Sequence, residues 1–213
     1  MSAITKIFPT PVYTSEPYPL TEDEIIAAKK HFENVSLNAN KNLTTNNKLV
    51  LDSTVEFVNL KKFINECINE YFYNILQVKK DINIYMTQSW LNFNKKGTSH
   101  HTHFHSNSII SGVFYFTDDN VPIEFETSYL KFGNISLNYE NFNEINYETY
   151  NFRAKKGMLV LFPSSLKHNV KENDLENTRI SLSLNTFVSG KLGEHNNLTQ
   201  LTLNKSGEYG YGQ

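Results

Sequence analysis

The sequence predicts a mainly β protein, a sandwich or jelly roll with helices packed on one outer face. Two observations carry this expectation. From Asp81 onward, short strand-like segments are punctuated by Gly97, Asp118-Asp119-Asn120, Gly133, Gly157 and Pro163. Ahead of Asp81 stand two helical patterns, whose apolar sides require a sheet to cover them. At 213 residues the chain is expected to be one domain, by a length rule of roughly 150 residues each. Within it, 1–80 reads as an extended segment with supporting helices, 81–190 as the β core and 191–213 as a tail.

The elements follow in order. Phe8-Pro-Thr-Pro-Val-Tyr13 is an extended lead-in, because its prolines disfavour helix. Thr21-Glu-Asp-Glu24 is a capping box that opens a helix to about Glu33. The polar stretch from Asn34 to Asn47 is expected to be loop. Leu60, Phe63, Ile64, Cys67, Ile68, Tyr71, Phe72 and Ile75 recur at helical spacing and predict an amphipathic helix lying on a sheet. Strands are expected at 82–93, 108–117, 121–126, 134–140, 145–153, 157–162 and 178–188. The segment from Thr127 to Asn151 matches no motif and is read as a hairpin or insertion near a pocket mouth. The stretch Gly207 to Gln213 is read as a disordered end or a lid.

Composition excludes several classes. A net charge of -2 offers no broad basic field, so nucleic acid is not an expected partner. No apolar run reaches the 18 residues of a membrane span, and MSAITKIFPTPVY lacks the apolar stretch of a secretion signal. The single Cys67 cannot form an internal disulfide and fits a reducing, cytoplasmic compartment, or a host's cytoplasm if the protein is viral. The sequons at Asn34, Asn42, Asn134 and Asn197 then reflect an Asn-rich composition rather than glycan sites. Cys67 lies on the buried stripe, which argues against a nucleophile, and no phosphate-cradling glycine loop occurs.

The chemistry concentrates in two places. Four of seven histidines fall in Ser99-His-His-Thr-His-Phe-His105. On a strand, alternate residues share a face, so His101 with His103, or His103 with His105, can offer two imidazoles to one point. His168 could supply a third. Eleven residues later, Arg179-Ile-Ser-Leu-Ser-Leu-Asn185 alternates, with Arg179, Ser181, Ser183 and Asn185 on one face and Ile180, Leu182 and Leu184 on the other. An inward arginine must be paired. Its partner is either a ligand carboxylate with Ser181 alongside or a cross-strand acid.

Trp90-Leu-Asn92, Gly97, His103-Phe-His105, Ser108, Ser111-Gly-Val-Phe-Tyr115, Gly157-Met-Leu-Val-Leu-Phe-Pro-Ser164, His168 and Arg179-Ile-Ser-Leu-Ser-Leu-Asn185 together resemble the 2-oxoglutarate/Fe(II)-dependent oxygenases common in marine phages and bacteria. The Phe8–Tyr13 opening is also similar to that group. The resemblance implies a double-stranded β-helix, the cupin-like form of the jelly roll, with the N-terminal helices on one sheet. It favours His103, His105 and His168 as the catalytic metal ligands over a pair at His101 and His103. It implies Fe(II) and 2-oxoglutarate as cofactors, with ascorbate a candidate reductant, and dioxygen as co-substrate. Arg179 and Ser181 would receive the far carboxylate of 2-oxoglutarate, aided by Tyr115, with Asn92 a further cofactor-binding residue. The implied reaction is hydroxylation of a protein side chain or a small amino-acid-like substrate.

The sequence departs from the wider superfamily at one position. A histidine, His105, stands where the usual His-x-Asp/Glu…His triad has its carboxylate. Three readings follow: iron on three histidines, a carboxylate such as Glu124 or Glu126 entering from elsewhere, or another metal such as zinc in an inert site. The rival functions are a cupin-like three-histidine dioxygenase that needs no 2-oxoglutarate, and a non-catalytic binding module on the same fold. The 13% aromatic content suits the latter.

Overall fold

The computed structural model describes residues 3–37, 42–118, 121–127, 135 and 137–204. In chain order its elements are β1 (Tyr13–Thr14), α1 (Glu22–Lys30), a 3-10 turn (His31–Asn34), β2 (Val35–Leu37), β3 (Leu43–Thr45), α2 (Val50–Ser53), a second 3-10 turn (Val55–Phe57) and α3 (Val58–Asn69). A π-helical turn (Glu70–Ile75) follows. Then come β4 (Asn83–Asn94), β5 (His100–His103), β6 (Ile110–Tyr115), β7 (Ile123–Glu126), β8 (Thr149–Phe152), β9 (Leu159–Pro163), β10 (Lys167–Val170), β11 (Arg179–Leu192) and β12 (Leu201–Leu203).

The larger sheet has the order β1-β9-β6-β11-β4-β3-β2, with β12 also paired to β11, and the smaller has the order β5-β10-β7-β8. The strands β4 to β11 change sheet at every connection except that between β7 and β8. This is the double-stranded β-helix expected above. Neighbouring strands pair antiparallel throughout.

Alternation along the strands divides the interior in two. Leu91, Phe93, Ile180, Leu182 and Leu184 point from the larger sheet toward α3, where they bury Leu60, Ile64 and Ile68. Val113, Tyr115, Val160 and Phe162 point the other way, to meet Ile123 and Phe125 of the smaller sheet. The helices therefore back one sheet and leave the space between the sheets for the site.

Local signals explain most elements. The Glu24 amide donates to the Thr21 hydroxyl (3.2 Å) and the Thr21 amide to the Glu24 carboxylate (2.8 Å), which starts α1. Cys67 is buried on α3, and burial raises its thiol pKa, consistent with an inert side chain. No helix of the described residues is long and apolar enough to cross a membrane.

Several expectations require correction. The stretch 34–47 contains β2 and β3, which extend the larger sheet. Its polar residues concealed this because they are used inward: Asn42, Thr44 and Thr45 are buried, and Thr45 Oγ1 accepts from the Leu91 amide (3.1 Å). Ile75 leaves the apolar stripe and is 48% exposed, because the π turn changes the angular step that the spacing assumed. Residues 135 and 137–140 carry no strand, and 134 and 136 lie outside the described residues. The strand expected at 145–153 shortens to β8. The amides of Asn146 and Tyr147 both donate to the Asn143 carbonyl, forming a turn ahead of it. The stretch 207–213 lies outside the described residues.

Gly157 joins the lead-in to the core. Its amide donates to the Tyr115 carbonyl and its carbonyl accepts from the Tyr18 amide, both at 2.8 Å. Its φ is +84°, and a Cβ there would collide with the Tyr18 carbonyl oxygen. Gly157→Ala is expected to cost at least about 1–2 kcal/mol. Urea unfolding should show a lower midpoint at constant slope.

Candidate metal centre and pocket

The site begins with one register. Antiparallel pairing of β10 with β5 sets His168 opposite His103. The His168 ring turns between the sheets, against Phe162 (4.8 Å between centroids) and Phe125 (6.3 Å). His105 arrives differently from the expectation. β5 ends at His103, so His105 lies in the following turn and strand alternation does not place it. Its amide donates to the Ser164 carbonyl (2.9 Å), which ties that turn to the end of β9. Ser164 is itself fixed: its hydroxyl meets Ser111 Oγ (2.8 Å) and donates to Ser108 Oγ (2.7 Å).

The ligand nitrogens of His103, His105 and His168 all lie within 4.8 Å of one another. His105 Nε2 and His168 Nε2 are 3.3 Å apart. Bonds of about 2.1 Å at a right angle would put neighbouring nitrogens about 3.0 Å apart, so the two fit one ion. Backbone carbonyls orient two of the rings. His103 Nδ1 lies 2.8 Å from the His101 carbonyl and His168 Nδ1 lies 2.9 Å from the Leu166 carbonyl. Each Nδ1 donates there, which leaves each Nε2 with a lone pair for metal.

Electrostatics favour the same state. Burial, then the neighbouring His103 and His105, lowers the His168 pKa to about 3. Burial, then His103, lowers His105 to about 4. Burial also lowers His103. Three crowded imidazoles are thus kept neutral, the form that binds metal.

The two carboxylates considered as substitutes face away. On β7, Phe125 points inward and its neighbours Glu124 and Glu126 point to the outer face. There Glu124 pairs with Lys171 (2.8 Å), which holds its carboxyl below the usual range. Glu126 accepts from Thr102 (2.6 Å) and from Asn169 (2.9 Å).

The far wall of the pocket is polar. Arg179 is buried, and its Nη1 donates to Asn94 Oδ1 (3.0 Å) and Ser181 Oγ (3.1 Å). Its guanidinium lies 5.1 Å from the ring centre of Tyr115, which is sealed from solvent. Asn94 donates to Asn42 (2.7 Å), Asn42 to Asn92 (3.0 Å) and Asn92 to Ser183 (2.9 Å). One pocket is lined by the three histidines at one end and by Arg179, Ser181 and Asn92 at the other. Six of the seven site residues expected from the sequence line this one space, and Tyr115 packs against Arg179.

Sequence reasoning missed four contributors. Asn94 was readable, since alternation from Trp90 and Asn92 continues to it on β4. Asn42 had no local signal. Ser164 acts through its backbone carbonyl, which sequence does not disclose. His100 lines the pocket, whereas His101, which alternation would turn inward with His103, is exposed. A bulge is the reason. Two steps on β10, from His168 to Val170, oppose three on β5, from His103 to His100.

Comparison with known proteins bears on the family and the fold. Residues 88–185 match the family model described as "Putative 2OG-Fe(II) oxygenase". Among solved structures, the chain is similar to an oxidoreductase of the 2OG-Fe(II) oxygenase family from Burkholderia pseudomallei, at 10% identity and a TM-score of 0.55, covering 82% of this chain and 83% of that one. It is similar to HygX from Streptomyces hygroscopicus with nickel and 2-oxoglutarate bound, at 9% identity and a TM-score of 0.55, covering 83% and 82%. It is similar to a Pseudomonas putida prolyl-4-hydroxylase, at 10% identity and a TM-score of 0.54, covering 84% and 92%. At these identities the likeness is one of fold. No curated protein sequence matches the chain.

Two predictions follow from this geometry. His168→Ala should weaken Zn(II) or Co(II) binding by more than about 100-fold, while Glu124→Gln and Glu126→Gln leave it unchanged in calorimetric titration. Protons compete with metal only below a ligand's own pKa. Affinity should therefore begin to fall only below about 6.5, where free histidine titrates, because burial lowers all three ligands.

Proposed function

We propose that this chain, whose residues 88–185 belong to the 2OG-Fe(II) oxygenase family, is a 2-oxoglutarate- and Fe(II)-dependent dioxygenase that hydroxylates a protein side chain or a small amino-acid-like molecule. The observation that carries the reading is one pocket with three neutral imidazoles at one end and a buried guanidinium at the other. Solved structures of this fold with nickel and 2-oxoglutarate bound, and one named a prolyl-4-hydroxylase, support it.

In this reading His103, His105 and His168 hold the ion through their Nε2 atoms. The Arg179 fork and the Ser181 hydroxyl receive the far carboxylate of 2-oxoglutarate. Asn94 and Ser181 already hold the guanidinium in place, so binding requires little reorganisation. The Tyr115 hydroxyl is a further donor to that carboxylate. Asn92, braced between Asn42 and Ser183, orients the co-substrate from the side. When bound, iron and 2-oxoglutarate supply the oxidising chemistry, with dioxygen consumed and succinate and CO2 released. The chain's own contribution is position and exclusion of water. Trp90, with its ring 5.9 Å from that of His105, supplies an apolar wall beside the ligands.

One observation favours a second reading. Every ligand of the candidate centre is an imidazole, and Glu124 and Glu126 are turned outward. A three-histidine dioxygenase that acts without 2-oxoglutarate, or a non-catalytic module, would use Arg179 to clamp the carboxylate of its own substrate or ligand. Adding Fe(II) and then 2-oxoglutarate without oxygen separates the two. A weak new visible charge-transfer band supports the first reading, whereas bound metal without a band supports the second. Each charge-assisted bond to Arg179 is worth roughly 1.5–3 kcal/mol, so Arg179→Ala should weaken 2-oxoglutarate binding about tenfold or more. Unchanged affinity, read by titrating the same band, would remove Arg179 from the site.

A further inference from the structure

Four histidine rings besides that of His168 crowd β5 and its following turn, and the metal centre described above uses only two of them. The bulge in β5 turns His100 into the pocket mouth instead of away from it. The His100 ring stacks on His103, with centroids 4.2 Å apart and planes inclined by 27°. The His101 ring lies 5.2 Å from His103 and 5.5 Å from His100. The ligand nitrogens of His100, His101 and His103 lie within 4.8 Å of one another, so they form a second triad that shares His103 with the first. Exposure is graded along the series: His101 is exposed, His100 and His103 are half-buried, His105 is half-buried and His168 is buried.

We propose that His100, His101 and His103 form an outer capture site for a divalent transition-metal ion, which then passes to the inner triad without leaving His103. The proposal rests on the reading of His103, His105 and His168 as the resident metal centre. Its chemistry is ligand exchange alone. A hydrated ion must lose water to reach three buried nitrogens. The mouth of the pocket offers imidazoles while the ion is still largely hydrated. Water can then be replaced one ligand at a time, as His105 and His168 displace His100 and His101. Imidazole suits first-row divalent ions, and donors that leave in turn must bind without chelating as tightly as the inner set. The sharing of His103 follows from its tautomer. Its Nδ1 donates to the His101 carbonyl, so its Nε2 can serve only one ion at a time. The two triads therefore act in succession, and the chain should hold one ion at equilibrium.

The test uses the full-length apo protein, with Co(II) as probe and rapid-mixing absorption as readout. The variants are His101→Ala, the double variant His100→Ala/His101→Ala, and His195→Ala as a control outside the site. His101 is exposed, so its replacement does not threaten folding. Loading of the outer variants is expected to slow about tenfold, as when a local ligand concentration that speeds association is lost. The final spectrum and equilibrium affinity of His101→Ala should stay within about twofold of the parent, as for other surface substitutions. His195→Ala should load at the parent rate. Parent-rate loading by both outer variants would overturn the capture site and leave the inner centre untouched, provided His105→Ala abolishes tight binding. Loss of tight binding in the double variant with retention in His105→Ala would overturn both, because the resident ion would then sit on the outer triad.

Discussion

The pairing of β10 with β5, which sets His168 opposite His103, is the constraint on which the site depends. β10 lies between β5 and β7, so its register also fixes which side of β7 faces inward. A one-residue slip would turn His168 out and bring Asn169 in, and would break the ties from Asn169 to Glu124 and Glu126 on the outer face. The outer polar contacts thus hold the register that the inner imidazoles require. The third imidazole comes from outside the strand and needs its own anchor, the Ser164 carbonyl.

Energetically the interior is two different environments separated by one sheet. The side of β4 and β11 that faces the helices is apolar, and Leu91, Phe93, Leu182 and Leu184 there supply the burial that stabilises the fold. The opposite side of the same two strands carries Asn92, Asn94, Arg179, Ser181 and Ser183. A guanidinium taken out of water costs several kcal/mol unless its hydrogen bonds are replaced. Here Asn94 and Ser181 accept from it, and the Asn42–Asn92–Ser183 chain fixes Asn94 and its neighbours in turn. Strand alternation lets a strand carry a stabilising face and a functional face at no cost to either.

This division explains what was legible in the sequence. Arg179 to Asn185 could be read correctly because apolar and polar residues alternate without interruption over the whole run. The stripe on α3 was legible for the same reason, until the π turn broke its period at Ile75. On β3, where no run of apolar residues alternates with the polar ones, pattern reading fails. Leu43–Thr45 looks like loop because its buried residues are threonine and its neighbour is asparagine. The histidine cluster was legible as chemistry but not as geometry. Alternation would group His101 with His103. The bulge in β5 instead turns His100 inward and leaves His101 exposed, and His105 reaches the site from a turn. Bulges and turn anchors depend on a partner strand distant in sequence, so no local pattern announces them.

In the proposed ligand set, with His105 in place of a carboxylate, electrostatics would tie the two ends of the pocket together. Three neutral ligands leave a divalent ion its full charge, where a ligand set with one carboxylate would cancel half of it. An ion held there would place positive charge at one end of the pocket, opposite the buried Arg179 guanidinium at the other. Such a space attracts a small dianion with its charges at opposite ends more strongly than a neutral or singly charged molecule. The same argument explains why the histidines must be kept unprotonated. An imidazolium among them would repel both its neighbours and the incoming ion, and burial together with mutual repulsion prevents it. Crowding that destabilises charge on the imidazoles is therefore the same feature that would reserve the positive charge of the site for a bound ion.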